Sequence, residues 1–277
     1  MNLELEWLTF KGVILRHFKE FVSYRTSVFA TIIWPLPLLA LNVYQYLGLA
    51  SGQQVGQVLN AKYGIASFSG MIILGTIVYL LYNRMLWGTG ASLQEERFNG
   101  TIESLFLTPA NRMTVLLASG FSSLLEGAWW IVGVFLLSWV IFGVQPAIAD
   151  WGAVIIALIS TMIALIAVGV FFASFFVLTR AADQLATSLQ APIRYASGVA
   201  FPVAALPAVF QLFAYILPVT YGINALRSTV VQEGTLISLV GTLAPLYIFT
   251  AILIVAGHFI LKRVEAQAKR NGSLYKI

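Results

Sequence analysis

The chain predicts an all-α membrane protein with six transmembrane helices, and three observations carry that prediction. Of its 277 residues, 59% are hydrophobic and only 10% charged, with a mean hydropathy of +0.87, too apolar to cover a water-facing surface. The apolar residues gather into tracts of about 20 or more, the length a helix needs to cross a ~30 Å hydrocarbon core. The basic residues fall into alternating connections between those tracts, as retention of Lys and Arg on the cytoplasmic side requires.

Residues 4–24 read as an amphipathic helix, with Trp7, Phe10, Ile14, Phe18, Phe21 and Val22 on one side and Lys11, Arg16, Lys19 and Glu20 on the other. Such a helix lies in the membrane interface; packing on a soluble partner is the other reading. The first span covers 28–49, with Pro35 and Pro37 as kink residues and Asn42 and Gln45 as polar groups that need partners in lipid. A polar outer loop at 50–62 leads to the second span at 66–87. The third and fourth spans cover 113–143 and 151–178, with Trp139 and Trp151 as interfacial anchors around a short outer connection.

The fifth span, 185–206, is interrupted by Gln190, Pro192, Arg194 and Pro202, and it is required by charge, not hydropathy. Lys11, Arg16, Lys19 and Arg25 precede the first span, Arg84, Arg97 and Arg112 flank the second connection, and Arg180 marks the fourth. Lys262, Arg263, Lys269, Arg270 and Lys276 follow the last, whereas the opposite loops hold little more than Lys62 and Arg227. Both termini on the cytoplasmic side of a cell (inner or plasma) membrane need an even number of spans, which gives six. The net charge of +5 is then an orientation signal, and nucleic acid is not an expected partner. Between 207 and 227, Pro207 and Pro218 divide apolar pieces too short to cross, which predicts short re-entrant helices on the outer side before the last span at 237–261.

Several function classes are excluded by what the sequence lacks. No cysteine is present and only two histidines, His17 and His258, so disulfides, thiolate sites and a multi-histidine metal site are out of reach. The first 25 or so residues have no short apolar core with a cleavage site, so the first span is expected to act as the targeting signal. No phosphate-binding G-x-x-x-x-G-K-[ST] occurs, and Gly88-Thr89-Gly90 is too short a cluster to replace it.

The most polar stretch, Glu95-Glu96-Arg97 through Arg112, lies between two of the most apolar tracts, on the cytoplasmic side by the charge rule. Ser92 and Glu95 are spaced as a capping box, which predicts a helix over 92–107 bent at Asn99-Gly100. Its Phe98, Ile102, Leu105 and Phe106 form an apolar face, and Glu95, Glu96, Asn99 and Glu103 project outward. Thr108-Pro109 reads as the N-cap and first turn of the third span. Carboxylates displayed this way are suited to grip a basic partner by charge-assisted hydrogen bonds, or else they are simply a solvated face.

The string Glu95-Glu96-Arg97-x-x-Gly100-Thr101-Ile102-Glu103-x-Leu105-x-x-Thr108-Pro109 resembles the cytoplasmic motif of ABC-2-type transporter permeases. Ser197-Gly198, Phe201-Pro202, Leu206-Pro207, Leu217-Pro218 and Ala225-Leu226-Arg227 resemble that family's outer-leaflet signature, so the likeness extends over nearly the whole chain. The resemblance implies the membrane subunit of an exporter, not itself an enzyme. Its ATP and Mg would be bound by a separate ATPase subunit present in two copies, with no cofactor or metal on this chain. It further implies that Glu95, Glu96, Arg97, Gly100, Thr101, Glu103 and Leu105 contact that ATPase, and that a second copy of the chain or a related permease completes the path.

Two further groups stand out because ionisable side chains at membrane depth cost several kcal/mol unless paired or hydrated. Glu126 and Arg194 are expected to pair, within a subunit or across a dimer. His258, without an acidic neighbour in sequence, reads as a hydrogen-bonded core residue. The sequons Asn99-Gly100-Thr101 and Asn271-Gly272-Ser273 both fall on the cytoplasmic side. Cargo stays open between an amphipathic small molecule, a lipid-like compound, a peptide and a lipid-linked glycan, and an ion-gradient-driven secondary transporter is the alternative from another class.

Overall fold

The computed structural model describes residues 3–24, 26, 33, 35–49, 68–142, 148–177, 182–232 and 234–271. The expected outer loop at 50–62, with Lys62, and the positions of Arg25, Arg180 and Lys276 lie outside these residues, as does most of the second sequon. Among the described residues every regular element is a helix. In chain order they are α1 (Leu3–Ser23), α2 (Pro35–Leu49), α3 (Phe68–Met85), a π turn (Leu86–Gly90), α4 (Ser92–Phe98) and α5 (Ile102–Leu107). There follow α6 (Arg112–Phe142), α7 (Trp151–Phe176), α8 (Ala182–Ala196), a 3₁₀ turn (Val203–Ala205), α9 (Ala208–Ile216), α10 (Pro218–Val230) and α11 (Leu236–Asn271).

Four stretches are long and apolar enough to cross a membrane: Gly70–Gly90, Arg112–Ile141, Trp151–Phe176 and Leu236–Val264. A fifth candidate is α9 with α10, which meet at 90° across Leu217. Pro207 precedes α9 and Pro218 opens α10, where a missing N–H costs nothing. The described part of the first expected span, α2, is shorter than these, and six spans are therefore an expectation that the described helices meet only in part.

One span differs in kind from its expectation. The tract 185–206 does not form one helix, because α8 ends at Ala196 and Gly198 takes φ +83. That left-handed conformation suits glycine and turns the chain, and Pro202 then opens the 3₁₀ turn. The result is a 15-residue amphipathic helix followed by a bend.

The centre of the protein is α7, which packs against α11, α10, α6 and the π turn. Its N-terminus is fixed by Asp150, whose carboxylate accepts from the Gly152 and Ala153 amides at 2.9 and 3.2 Å. Ala153, Ala157, Ser160, Thr161, Ala164, Ala167, Gly169, Ala173 and Ser174 are buried along it, and small side chains let helix backbones approach closely in lipid. A Cβ on Gly222 of α10 would lie 2.6 Å from Thr161 Cγ2, and one on Gly169 would lie 2.8 Å from Thr89 Cβ in the π turn. Trp139 and Trp151, expected as interfacial anchors, are exposed near the C-terminus of α6 and at the N-terminus of α7.

Candidate functional site

The polar stretch forms two short helices, not the one bent helix expected. Gly100, at φ +70, separates α4 from α5. Ser92 is not a cap: its hydroxyl donates to the Thr89 carbonyl at 2.7 Å, and the Glu95 amide donates to Ala91 O at 2.9 Å. The physical reason is continuity, since α3 runs through the π turn into α4 and no free N-terminus needs capping. Thr108 likewise closes α5, donating to Leu105 O at 2.7 Å, while Asn111 Oδ1 accepts from the Met113 amide at 2.9 Å and starts α6.

The apolar side of α4 and α5 is anchored. Leu93 is buried with Leu116 of α6 and Val170 of α7, and Leu105 packs against the same cluster. Ile102 is buried. On the polar side Glu96 is the hub: it accepts from Arg16 Nη1 of α1 at 2.9 Å and from the Thr101 hydroxyl. Arg16 also meets Glu20 at 3.2 Å, and the Glu96 carboxylate holds the Arg16 guanidinium above its ordinary value. Glu95 is exposed and Arg97 half-buried on α4. Glu103 lies on the backbone of α5, and its side chain is outside the described set.

Helix α1 packs along α6. The Thr114 hydroxyl donates to Glu6 at 2.5 Å, and Phe10 meets Phe121 at 5.9 Å between ring centroids. Between α1, α4 and α6 lies a polar cleft of about 540 Å³. Arg16, His17, Glu20, Glu95 and Glu96 line it, together with the wall residues Arg84, Ser119, Ser123 and Glu126. His17 is held below the ordinary histidine value by burial, only partly opposed by Glu20.

At that wall Glu126 pairs with Arg84 of α3, not with Arg194. Arg194 of α8 instead donates to Asn42 Oδ1 and lies 5.7 Å from the Tyr79 ring, while Asn42 donates to Thr76 at 3.3 Å. The expected Glu126–Arg194 pair is corrected within the chain because α6 packs directly on α3 and places Arg84 beside Glu126. Asn42 thus finds the partners its burial demands, one from α3 and one from α8.

Two features escape sequence reasoning. Arg227, counted there among outer-loop charges, is 8% exposed. It donates to the carbonyls of Met71 (2.9 and 3.2 Å), Gly198 (2.7 Å) and Val199 (2.7 Å). The second is the π turn, where Gly88, Thr89 and Gly90 form a close crossing: a Cβ on Gly88 would lie 2.5 Å from Ser123 Oγ of α6. Its only sequence signal is a pair of glycines at a span end, which also fits an ordinary turn.

A helical body with several apolar spans, a short polar helix pair at one end and an amphipathic helix laid along it defines a multi-pass membrane protein. The ABC-2 type transporter family profile matches residues 6–231, and the chain belongs to that family, as a transport permease subunit. No curated protein sequence matches the chain.

Proposed function

We propose that the chain is the membrane subunit of an ATP-driven exporter, with ATP and Mg bound on a separate ATPase subunit present in two copies. One observation carries the reading. The helix pair α4–α5 hangs between two spans, is bonded into the body through the π turn and the Leu93 cluster, and leaves Glu95 exposed. A displacement applied there reaches α3, α6 and α7 together, which is what a rigid-body transmission of nucleotide-driven closure needs. Glu95, Glu96, Arg97, Gly100, Thr101, Glu103 and Leu105 form the contact segment, and Arg16–Glu96 recruits α1 to the same body. The termini are cytoplasmic in a cell membrane, and a second copy or a related permease closes the path. The cargo is an amphipathic small molecule, lipid-like compound or peptide.

The chain has no cysteine, so Glu103→Cys gives a single reactive site. Co-expressed with an ATPase carrying one surface cysteine, this variant is expected to form a cross-link whose yield changes with ATP. If the new thiol at position 103 is freely labelled yet cross-links at no ATPase position, the contact is removed and the ion-gradient-driven reading restored.

A further inference from the structure

Two cavities share a wall beneath α1. The first is the polar cleft of about 540 Å³. The second, about 270 Å³, is bounded by Ile14, Phe18 and Phe21 of α1 and by Leu125 and Trp129 of α6. Phe21 and Glu126 belong to both linings, so the cavities adjoin across them. Together they fall in the range of ligand sites, about 300–1,000 Å³. The apolar compartment opens outward: Phe18, Leu125 and Trp129 are each close to half exposed.

The polar compartment has an excess of negative charge. Four carboxylates, Glu20, Glu95, Glu96 and Glu126, face two guanidiniums, Arg16 and Arg84. Both guanidiniums are committed, Arg16 to Glu20 and Glu96, and Arg84 to Glu126. Glu95 enters no ion pair among the described residues. Burial holds His17 toward its neutral form, so it supplies little compensation. Trp87 and Tyr24 sit in the same lining, and aromatic faces attract cations, quaternary ammonium groups above all. A phosphate headgroup would add charge of the sign already in excess.

We infer that this two-part cleft binds a single-chain amphipathic cation, its ammonium head beside Glu95 and Glu126 and its alkyl tail along Phe18, Leu125 and Trp129. The site stands on the shape and charge of the cleft alone. Its use as the entrance for cargo from the inner leaflet rests on the exporter reading above.

The test uses the full chain in phosphatidylcholine nanodiscs without any ATPase, with radiolabelled dodecyltrimethylammonium as the probe. Saturable binding is expected, displaced by unlabelled probe and not by dodecyl sulfate. Glu95→Gln is expected to weaken it about tenfold, the loss of one charge-assisted contact, and to leave competition by uncharged dodecanol unchanged. Leu125→Trp, which fills the apolar compartment, is expected to weaken both. Equal displacement by dodecyl sulfate, or wild-type affinity in both variants with unchanged thermal midpoints, would overturn the site. Binding as expected, with no ATP-dependent movement of the probe once an ATPase is supplied, would leave the site standing and count against the exporter.

Discussion

The two ends of α3 are each held by an arginine, in opposite ways. Near its start Arg227 spans from α10 to three backbone carbonyls, with no ion pair among the described residues and no space left: a Cβ on Gly75 would lie 2.2 Å from Val199 O and 2.6 Å from Arg227 Nη2. Near its far end Arg84 meets one carboxylate, Glu126, beside a cleft of about 540 Å³, and Arg84 Nε has no hydrogen-bond partner among the described residues. One guanidinium locks a bend in place, and the other borders open volume. The contrast locates the free volume: the cleft beside Arg84 leaves that side chain room to rearrange while α4 and α5 stay anchored through Leu93 and Leu105, and the end that carries the α8–α10 turns has none.

The largest expected effects therefore lie at the locked end. Arg227→Met leaves the Gly198 and Val199 carbonyls without their donor, at ~1–3 kcal/mol for each unsatisfied group, and should prevent stable folding or lower the thermal midpoint in detergent more than any other single change. Arg227→Lys should recover only part, since a point ammonium cannot reproduce a planar fork. Gly75→Ala comes next at ~1–3 kcal/mol for overpacking against backbone and guanidinium. Gly198→Ala should cost ~1–2 kcal/mol, because its φ of +83 places a Cβ against the following carbonyl. If Arg227→Met melted like wild type, the locked end would be no more rigid than the open one and the contrast would fail.

Legibility follows the same divide. The expected span over 185–206 runs through the turn that Gly198 makes, whereas Pro207 and Pro218 act through φ and a missing N–H, which are properties of the residue itself, so the broken helices between 207 and 227 can be read from sequence. Arg227 cannot, because a formal charge says nothing of what surrounds it, and a cation satisfied by carbonyls leaves no acidic partner to search for. Glu126 and Arg194 stand out in sequence as groups needing partners, but depth along each helix does not decide which helices touch. Arg84 does not stand out, since it ends an apolar tract, where snorkelling arginines are ordinary. At the polar stretch the Asn99-Gly100 break and the anchors Ile102 and Leu105 are legible, whereas Phe98, expected on the same face, is 74% exposed. The continuity of α3 through a π turn is not, and with it fall the caps expected at Ser92 and Thr108.

At the open end the effects on stability should be smaller and those on motion larger. Glu126→Gln leaves the Arg84 guanidinium without its counter-charge beside water-accessible volume, so a loss of ~1–2 kcal/mol is expected, below that at a fully buried pair. Measured by thermal melting and by nucleotide-sensitive cross-linking at position 103, it should alter the second readout more than the first. Arg16→Ala breaks an ion pair whose arginine side chain is 58% exposed, and exposed pairs contribute only ~0–1 kcal/mol. Its melting should match wild type, while protease access to α1 rises and becomes insensitive to salt.

The smallest expected effect is also the most diagnostic of the cleft. His17 faces Glu20, Arg16, Glu95 and Arg84, and burial outweighs the acidic neighbours to hold its value below the ordinary 6.5. The undocked helix, with its imidazole in water, binds a proton more readily than the docked one. Docking of α1 is therefore fully stabilised above the ordinary histidine value and weakens as pH falls through it, reaching its floor below the depressed value of the docked state. Protease access to α1, followed from about pH 7.5 to about pH 5.5, should rise on acidification in wild type and stay flat in His17→Gln. An opposite slope would mean that the carboxylates dominate the imidazole's surroundings, and that the cleft is wetter and more strongly negative than its packing implies.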